Sequence, residues 1–282
     1  MDVGIGLPAM IPGVEGKQLL DWARRSDDAG FSTLGTLDRL VYPNYEPLVA
    51  LAAAAAVTER IRLTTAVLLL PWRENAALVA KQAATIHHMS GGRLVLSLAV
   101  GRREDDYEAS HSGFDDRGER FEQMLARMES IWQDEQGIGP ELDTPPAILI
   151  GGSIDAAFKR AARYGAGWIM GGGTPDMLAE GKQKMEAAWK EAGRDGEPRV
   201  AALAYFALGE NAEQAAEKDL KHYYAWLGDE TAQMIADSAA TDEETVKGYQ
   251  EAFEQAGCDE LIWFPTDPDP KQVDLLAEAV LK

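Results

Sequence analysis

The sequence has little that supports covalent cross-linking, metal capture or attraction to polyanions. Its 282 residues contain one cysteine, Cys258, so no disulfide can form within the chain. Cys258 precedes the apolar run Leu261-Ile262-Trp263-Phe264, where a small thiol packs well, and it is read as packing rather than chemistry. Histidine is scarce as well: His87 and His88 are neighbours on a helical stretch and face different directions, while His111 and His222 stand alone. None has a carboxylate or thiolate at ligand spacing, so no metal is expected. A Gly-x-Ser-x-Gly elbow, a phosphate-loop lysine motif and a Cys–His pair near a strand end are all missing, which argues against the common nucleophilic hydrolases. No four consecutive Lys or Arg occur, and 47 acids against 27 bases leave a net charge of -20. That balance repels nucleic acid and anionic lipid and favours solubility. No segment reaches 18 uninterrupted large apolar residues, and Met1-Asp2-Val3-Gly4-Ile5-Gly6 offers neither a basic start nor a long apolar stretch. The expectation is a reducing, cytoplasmic location with no membrane partner.

What the chain does have is alternation. Short apolar or β-branched runs at 3–7, 33–37, 62–69, 94–99, 147–150, 167–170, 200–207 and 260–264 are each followed by a stretch with helical spacing. Ile154, Ala157, Phe158, Ala161 and Ala162 form one such stripe, with Gly165 in a helix-stop position. Val273, Leu276, Ala277, Val280 and Leu281 repeat the spacing near the C-terminus. Strands apolar on both faces and separated by helices predict a parallel sheet, either doubly wound or closed; eight units favour a (β/α)8 TIM barrel in a single domain over residues 1–282. Two connections are longer than a barrel needs, 100–116 and about 211–256, and these insertions in the loops of the C-terminal face are expected to cap a site.

In such a barrel the reacting groups sit at the C-terminal ends of the strands. The fifth run passes through Gly151, Gly152 and Ser153 straight into a helix. Glycines allow close backbone approach, a serine hydroxyl donates, and a helix start presents free N–H groups, which together make a phosphate cradle. Ser153 as an ordinary helix cap is the plainer alternative. The sixth run ends in Gly171, Gly172 and Gly173, a neighbouring glycine turn able to share the same phosphate. The third run is an apolar floor with Ala66 and Val67 midway and Trp72 at its rim, suited to a flat ring. The fourth run exits through Val100, Gly101, Arg102 and Arg103 to Glu104, Asp105 and Asp106; one arginine can face an anion, or both can pair with these acids.

These motifs, taken in order, resemble the bacterial luciferase-like monooxygenase family across nearly the whole chain. The resemblance is carried by Ala29-Gly30-Phe31, Thr58-Glu59-Arg60-Ile61-Arg62-Leu63, Leu70-Pro71, Met89-Ser90-Gly91-Gly92-Arg93-Leu94 and Val100-Gly101-Arg102-Arg103-Glu104-Asp105-Asp106-Tyr107-Glu108. Pro146-Ala147-Ile148-Leu149-Ile150-Gly151-Gly152-Ser153 and Ala162-Arg163-Tyr164-Gly165-Ala166-Gly167-Trp168 complete it. It implies a barrel that binds FMN, or in some branches the deazaflavin F420, at its mouth. By position it implies a cis peptide at Ala66–Val67 beneath the ring, phosphate at Gly151, Gly152 and Ser153, and cofactor contacts at Val100 and Gly101. The chain departs from the pattern after the second run, where many relatives carry a histidine and this sequence reads Asp38-Arg39-Leu40. Arg39 cannot serve as a base, since guanidinium stays protonated above about pH 12. It can bind an anionic substrate or steady a reduced, anionic ring, with Asp38 orienting it.

The expected activity is oxidation of a small organic substrate with reduced FMN and O2, the flavin being reduced by a separate reductase. Hydride transfer with F420 is the alternative, and a flavin-binding relative without catalysis is a third reading. An unrelated barrel acting on phosphorylated sugars would bind at residues 151–153 and lack the ring site. A homodimer is expected from the resemblance alone.

Overall fold

The computed structural model describes residues 1–133 and 137–281. Its strands are β1 (Asp2–Gly6), β2 (Thr33–Thr36), β3 (Arg62–Leu69), β4 (Leu94–Ala99), β5 (Ala147–Gly151), β6 (Gly167–Met170), β7 (Arg199–Phe206) and β8 (Glu260–Pro265). All neighbours pair in parallel, and β8 returns to β1 to close a barrel in strict sequence order. The predicted (β/α)8 TIM barrel is therefore present. Each predicted run coincides with a strand, and the boundaries shift by no more than one residue.

The helices among the described residues are α1 (Gly16–Ala29), α2 (Pro47–Ala55), α3 (Ala76–Met89), α4 (Glu104–Ala109), α5 (Arg117–Gln133), α6 (Asp155–Tyr164), α7 (Pro175–Glu191), α8 (Ala212–Tyr223), α9 (Asp229–Asp237), α10 (Glu243–Gln255) and α11 (Lys271–Val280). The two long connections carry helices of their own: α4 lies in the first, and α8, α9 and α10 occupy the second. None of the described helices is long and apolar enough to cross a membrane.

Two details differ from the sequence pattern. Gly165 does end α6, but through extended backbone rather than a left-handed turn; a side chain there would press on the carbonyl oxygens of Ala161 and Ile148, so close packing explains the glycine. Ile154 leaves its expected apolar stripe, preceding α6 at 65% exposure.

The two ends of the barrel differ in chemistry. At the N-terminal end Glu260 accepts from Thr33 and Ser32 and pairs with Arg62 (2.9 Å) and Arg199 (3.0 Å), both of which also reach Asp2. Burial pushes the Glu260 carboxyl up, but these hydrogen bonds and cations hold it below its usual 4.5. This ring of charges ties β1, β2, β3, β7 and β8 together, a stabilising role typical of that face. Cys258 is buried, donates to the Glu260 carbonyl (3.1 Å) and has its thiol pushed up to about 12 by burial, so it packs and does not react.

Candidate cofactor and substrate site

At the C-terminal ends of β4 and β5 lies a cavity of about 470 Å³. It brings together six residues singled out in the sequence: Val100, Gly101 and Arg102 after β4, and Gly151, Gly152 and Ser153 after β5. Its shape depends on glycine. Gly152 has φ +132°, and a Cβ there would come within 2.9 Å of the Ala157 Cβ. Gly101 has φ +79°, and its missing side chain leaves space against Leu69. The Gly152 carbonyl is fixed by the indole N–H of Trp168 at 2.7 Å. Ser153 does not cap α6; that position is Ile154, with no side chain closing it, so the exposed Ile154 helps line the cavity and the helix start keeps its N–H groups available.

The arginines after β4 divide their roles. Arg102 lines the cavity, whereas Arg103 is buried against Asp105 and lies 3.7 Å from Asp106. Both guanidinium groups lie over Trp226, at 5.2 and 4.8 Å from the ring centroid. The sequence reading missed Arg117 and Arg160, which also line the cavity from α5 and α6. Arg160 pairs with Glu122 at 2.9 Å, while Arg117 donates to the Phe114 carbonyl and keeps a buried Nε without a partner. Neither belongs to a glycine turn, so only their helical position beside β5, invisible without the fold, would have flagged them.

Gly171 and Gly172 are not brought into this cavity. Gly171 is exposed with no atom near its would-be Cβ, and the helix after it is capped by Thr174 instead.

Ala66 and Val67 sit where β3 changes register against β4, and the peptide bond between them is cis. They do not line the cavity directly. Val67 is half-buried, and a Cβ on Gly151 would lie 3.1 Å from its Cγ1, so its side chain borders the cavity wall. Both residues belong to an apolar cluster with Leu37, Leu149, Tyr205 and Tyr223. The expected apolar floor exists, roofed on one side by aromatic residues of β7 and α8. Trp72 stands apart, in the turn Pro71–Arg73, with Arg73 over its ring at 4.4 Å.

Asp38 and Arg39 part company. Asp38 is buried and accepts from the Leu69 N–H (2.9 Å) and from Arg73 (3.1 Å), which also binds Glu46. Burial pushes its carboxyl up to about 6, with Arg73 opposing. It therefore braces the end of β3 rather than orienting Arg39, because Arg73 supplies the nearer cation. Arg39 donates to the carbonyls of Tyr223 (2.7 Å) and Val41 (3.3 Å), its guanidinium lies over the rings of Tyr42 (4.3 Å) and Tyr223 (4.8 Å), and its buried Nε has no partner. Burial, then the nearby Arg103, lowers its proton affinity. Asp106 stitches this region by accepting from Leu40 and Val41 N–H groups. Further aromatic polar groups of the mouth pair with each other: Tyr205 with Tyr224 at 2.6 Å, and Tyr42 with His222 Nδ1 at 2.7 Å.

A closed parallel barrel with a glycine turn and several arginines lining a cavity at the C-terminal ends of its strands belongs to the (β/α)8-barrel proteins, whose sites lie on that face. The sequence narrows that class, since residues 1–262 match the luciferase-like monooxygenase family, and the chain belongs to it. Among curated relatives, an uncharacterised protein of Mycobacterium tuberculosis is 30% identical over 207 residues, covering 61% of this chain and 71% of that protein. The pyrimidine monooxygenase RutA of Escherichia coli is 27% identical over 222 residues, covering 71% and 59%. Among solved structures, an F420-dependent secondary alcohol dehydrogenase superposes with TM-score 0.81 at 19% identity over 99% of this chain and 98% of its own. The FMN-bound oxygenating component of a diketocamphane monooxygenase from Pseudomonas putida gives 0.74 at 18% over 99% and 97%. Both share the fold.

Proposed function

We propose that this chain is a flavin-dependent monooxygenase that binds FMN at the barrel mouth and oxidises a small organic substrate with O2, the reduced flavin coming from a separate reductase. The cavity at the ends of β4 and β5 carries this reading, because it gathers six of the residues expected to contact the cofactor. Its chemistry suits a phosphate ester: free N–H groups at the start of α6, the Ser153 hydroxyl, Arg102, and an Arg117 Nε that lacks a partner. A buried N–H left unpaired costs about 1–3 kcal/mol, which a ligand oxygen would recover.

When bound, the flavin supplies the electrons of the reaction. The residues do the rest. Val67 and the apolar cluster give a ring a dry face, and the aromatic roof of β7 and α8 keeps water from it. Arg39, bonded to backbone carbonyls rather than to a carboxylate, contributes positive potential at the mouth, which favours an anionic reduced ring, whereas Arg103 is paired with Asp105 and Asp106. Asp38, held by Arg73 and the Leu69 N–H, keeps β3 in place and is not free to move a proton to substrate.

The deazaflavin F420 is the second reading, favoured by one observation. Arg102, Arg117 and Arg160 all line one cavity, and although Asp115 also lines it and Arg160 pairs with Glu122, this spread of three guanidinium groups suits an anionic tail longer than a single phosphate. Turnover separates the readings. Oxygen consumption with reduced FMN that rises with added substrate supports the monooxygenase; substrate-dependent bleaching or recovery of F420 absorbance without oxygen uptake replaces it with hydride transfer. Saturable binding of either cofactor with no turnover across a broad panel of small organic substrates would assign a flavin-binding protein without catalysis.

A further inference from the structure

A second cavity, of about 600 Å³, opens on the same face of the barrel but across the mouth from the phosphate cradle. Its walls come from the segments after β1 and β8 and from α8: Ile11 and Pro12, Thr266 and Pro268, and Ala215 and Asp219. The volume falls in the usual range for small-molecule sites, roughly 300–1,000 Å³. Most of that wall is apolar or neutral, and one group in it is out of place. Asp219 is only 7% exposed, and its Oδ2 is buried with no hydrogen-bond partner. Asp267, the other carboxylate of the cavity, is engaged by the Asp269 N–H and by Gln272. Lys218, the cavity's lysine, is exposed at the rim and makes no ion pair with Asp219 among the described residues.

A buried carboxyl oxygen without a partner is costly, and the group either takes up a proton or is completed by a cation from outside the fold. Burial accordingly pushes the Asp219 carboxyl up to about 7, with Lys218 only partly opposing. A chain of side-chain contacts links the cavity to Arg39: His222 lines it and hydrogen-bonds the Tyr42 hydroxyl, and the Tyr42 ring lies against the Arg39 guanidinium.

We infer that this cavity binds a small organic amine, its ammonium paired with the Asp219 carboxylate and its apolar body held between Ile11, Pro12, Ala215 and Pro268. Asp219 is then the residue that sets substrate charge, a specificity the glycine cradle and the Ala66–Val67 floor do not provide. The inference rests on the proposed function only where the amine is called a substrate; the binding itself does not need the flavin. The neutral isostere of such an amine leaves the carboxylate unpaired and binds more weakly.

The test uses the full chain without cofactor and three probes of nearly equal shape, namely benzylamine, benzyl alcohol and benzoate, followed by ligand-observed NMR. Benzylamine is expected to bind at least tenfold more tightly than benzyl alcohol, and benzoate more weakly still. Asp219→Asn is expected to bring benzylamine down to the alcohol's affinity, and Ala215→Trp, which fills the cavity from the same helix, to abolish binding of both. Equal affinity for amine and alcohol, or benzylamine binding unchanged by either folded variant, would overturn the inference. FMN titration of the same variants keeps the two readings apart: lost amine selectivity with normal FMN binding bears on Asp219 alone, whereas absent FMN binding with intact amine selectivity leaves the amine site standing and removes the flavin.

Discussion

Replacing Gly152 by alanine is the most incisive perturbation of the cradle, because two independent terms oppose it. The residue sits at φ +132°, a region that side-chain-bearing residues occupy only under strain of about 1–3 kcal/mol. The new Cβ would also lie 2.9 Å from the Ala157 Cβ, closer than packed carbons tolerate, and overpacking of this kind costs about 1–3 kcal/mol. The carbonyl of Gly152 is held by Trp168, so the loop cannot swing away without breaking that 2.7 Å hydrogen bond. Together the terms predict a loss of roughly 2–6 kcal/mol. At roughly 2–4 °C per kcal/mol for a large domain, Tm falls by about 4–24 °C. Because relief of the clash must shift the start of α6, FMN affinity should fall at least tenfold, about 1.4 kcal/mol. Thermal unfolding and flavin fluorescence titration read both effects. Gly171→Ala is the control: no atom lies within 4 Å of its Cβ, so stability should stay within the roughly 0.5 kcal/mol typical of surface changes, about 1–2 °C in Tm. If Gly152→Ala melts and binds like the parent chain, or Gly171→Ala suffers equally, the account of the cradle is wrong.

Other substitutions probe separate parts of the site. Ser153→Asp places a negative charge in the cavity and should weaken FMN at least tenfold while leaving Tm near that of the parent; unchanged affinity in a fluorescence titration removes phosphate from that position. Val67→Trp enlarges the side chain that borders Gly151 and should block flavin binding while circular dichroism still reports a folded barrel; normal binding would move the ring elsewhere. Asp219→Asn should raise stability at pH 8 and not at pH 3. The folded carboxyl sits near 7 against an ordinary 3.8, so its ionisation opposes folding increasingly as pH rises between those values, by at most roughly 4 kcal/mol once both states are ionised. A variant less stable than the parent at pH 8 in denaturant melts would show that Asp219 is paired in solution. Glu260→Gln should destabilise by about 1–3 kcal/mol at neutral pH, since it removes the buried acceptor of Arg62 and Arg199, which remain partly exposed and paired with Asp2; a change below about 0.5 kcal/mol in urea denaturation would reduce that network to surface pairs.

The barrel was legible because its strands are short apolar runs bounded by turn residues, and each is buried on both faces. Alternation and count then left few topologies. The cradle was legible for a similar reason: glycine, glycine and serine between a strand and a helix are a local feature, written in consecutive residues. What stayed hidden is long-range. Arg117 and Arg160 reach the cavity from the helices flanking β5, and nothing in their own neighbourhoods announces it. Asp38 and Arg39 are adjacent in sequence yet serve different partners, because Arg73 reaches Asp38 from the end of β3 while Arg39 turns to the aromatic rings of Tyr42 and Tyr223. Gly171 and Gly172 are the same residue type in a similar local setting after the next strand, yet they do not line that cavity. Asp219 gave no signal either, as one acid on a helix rich in them, distinguished only by the wall it faces.

In the proposed function, the ends of β4 and β5 hold the anionic part of a flavin-type cofactor. Parallel titration of the purified chain and of Ser153→Asp with FMN and with F420, followed by absorbance and fluorescence, tests it most directly. Saturable binding of at least one of them, weakened tenfold or more by the substitution, is the predicted result. Failure of both to bind, or binding indifferent to the charge at residue 153, would contradict it.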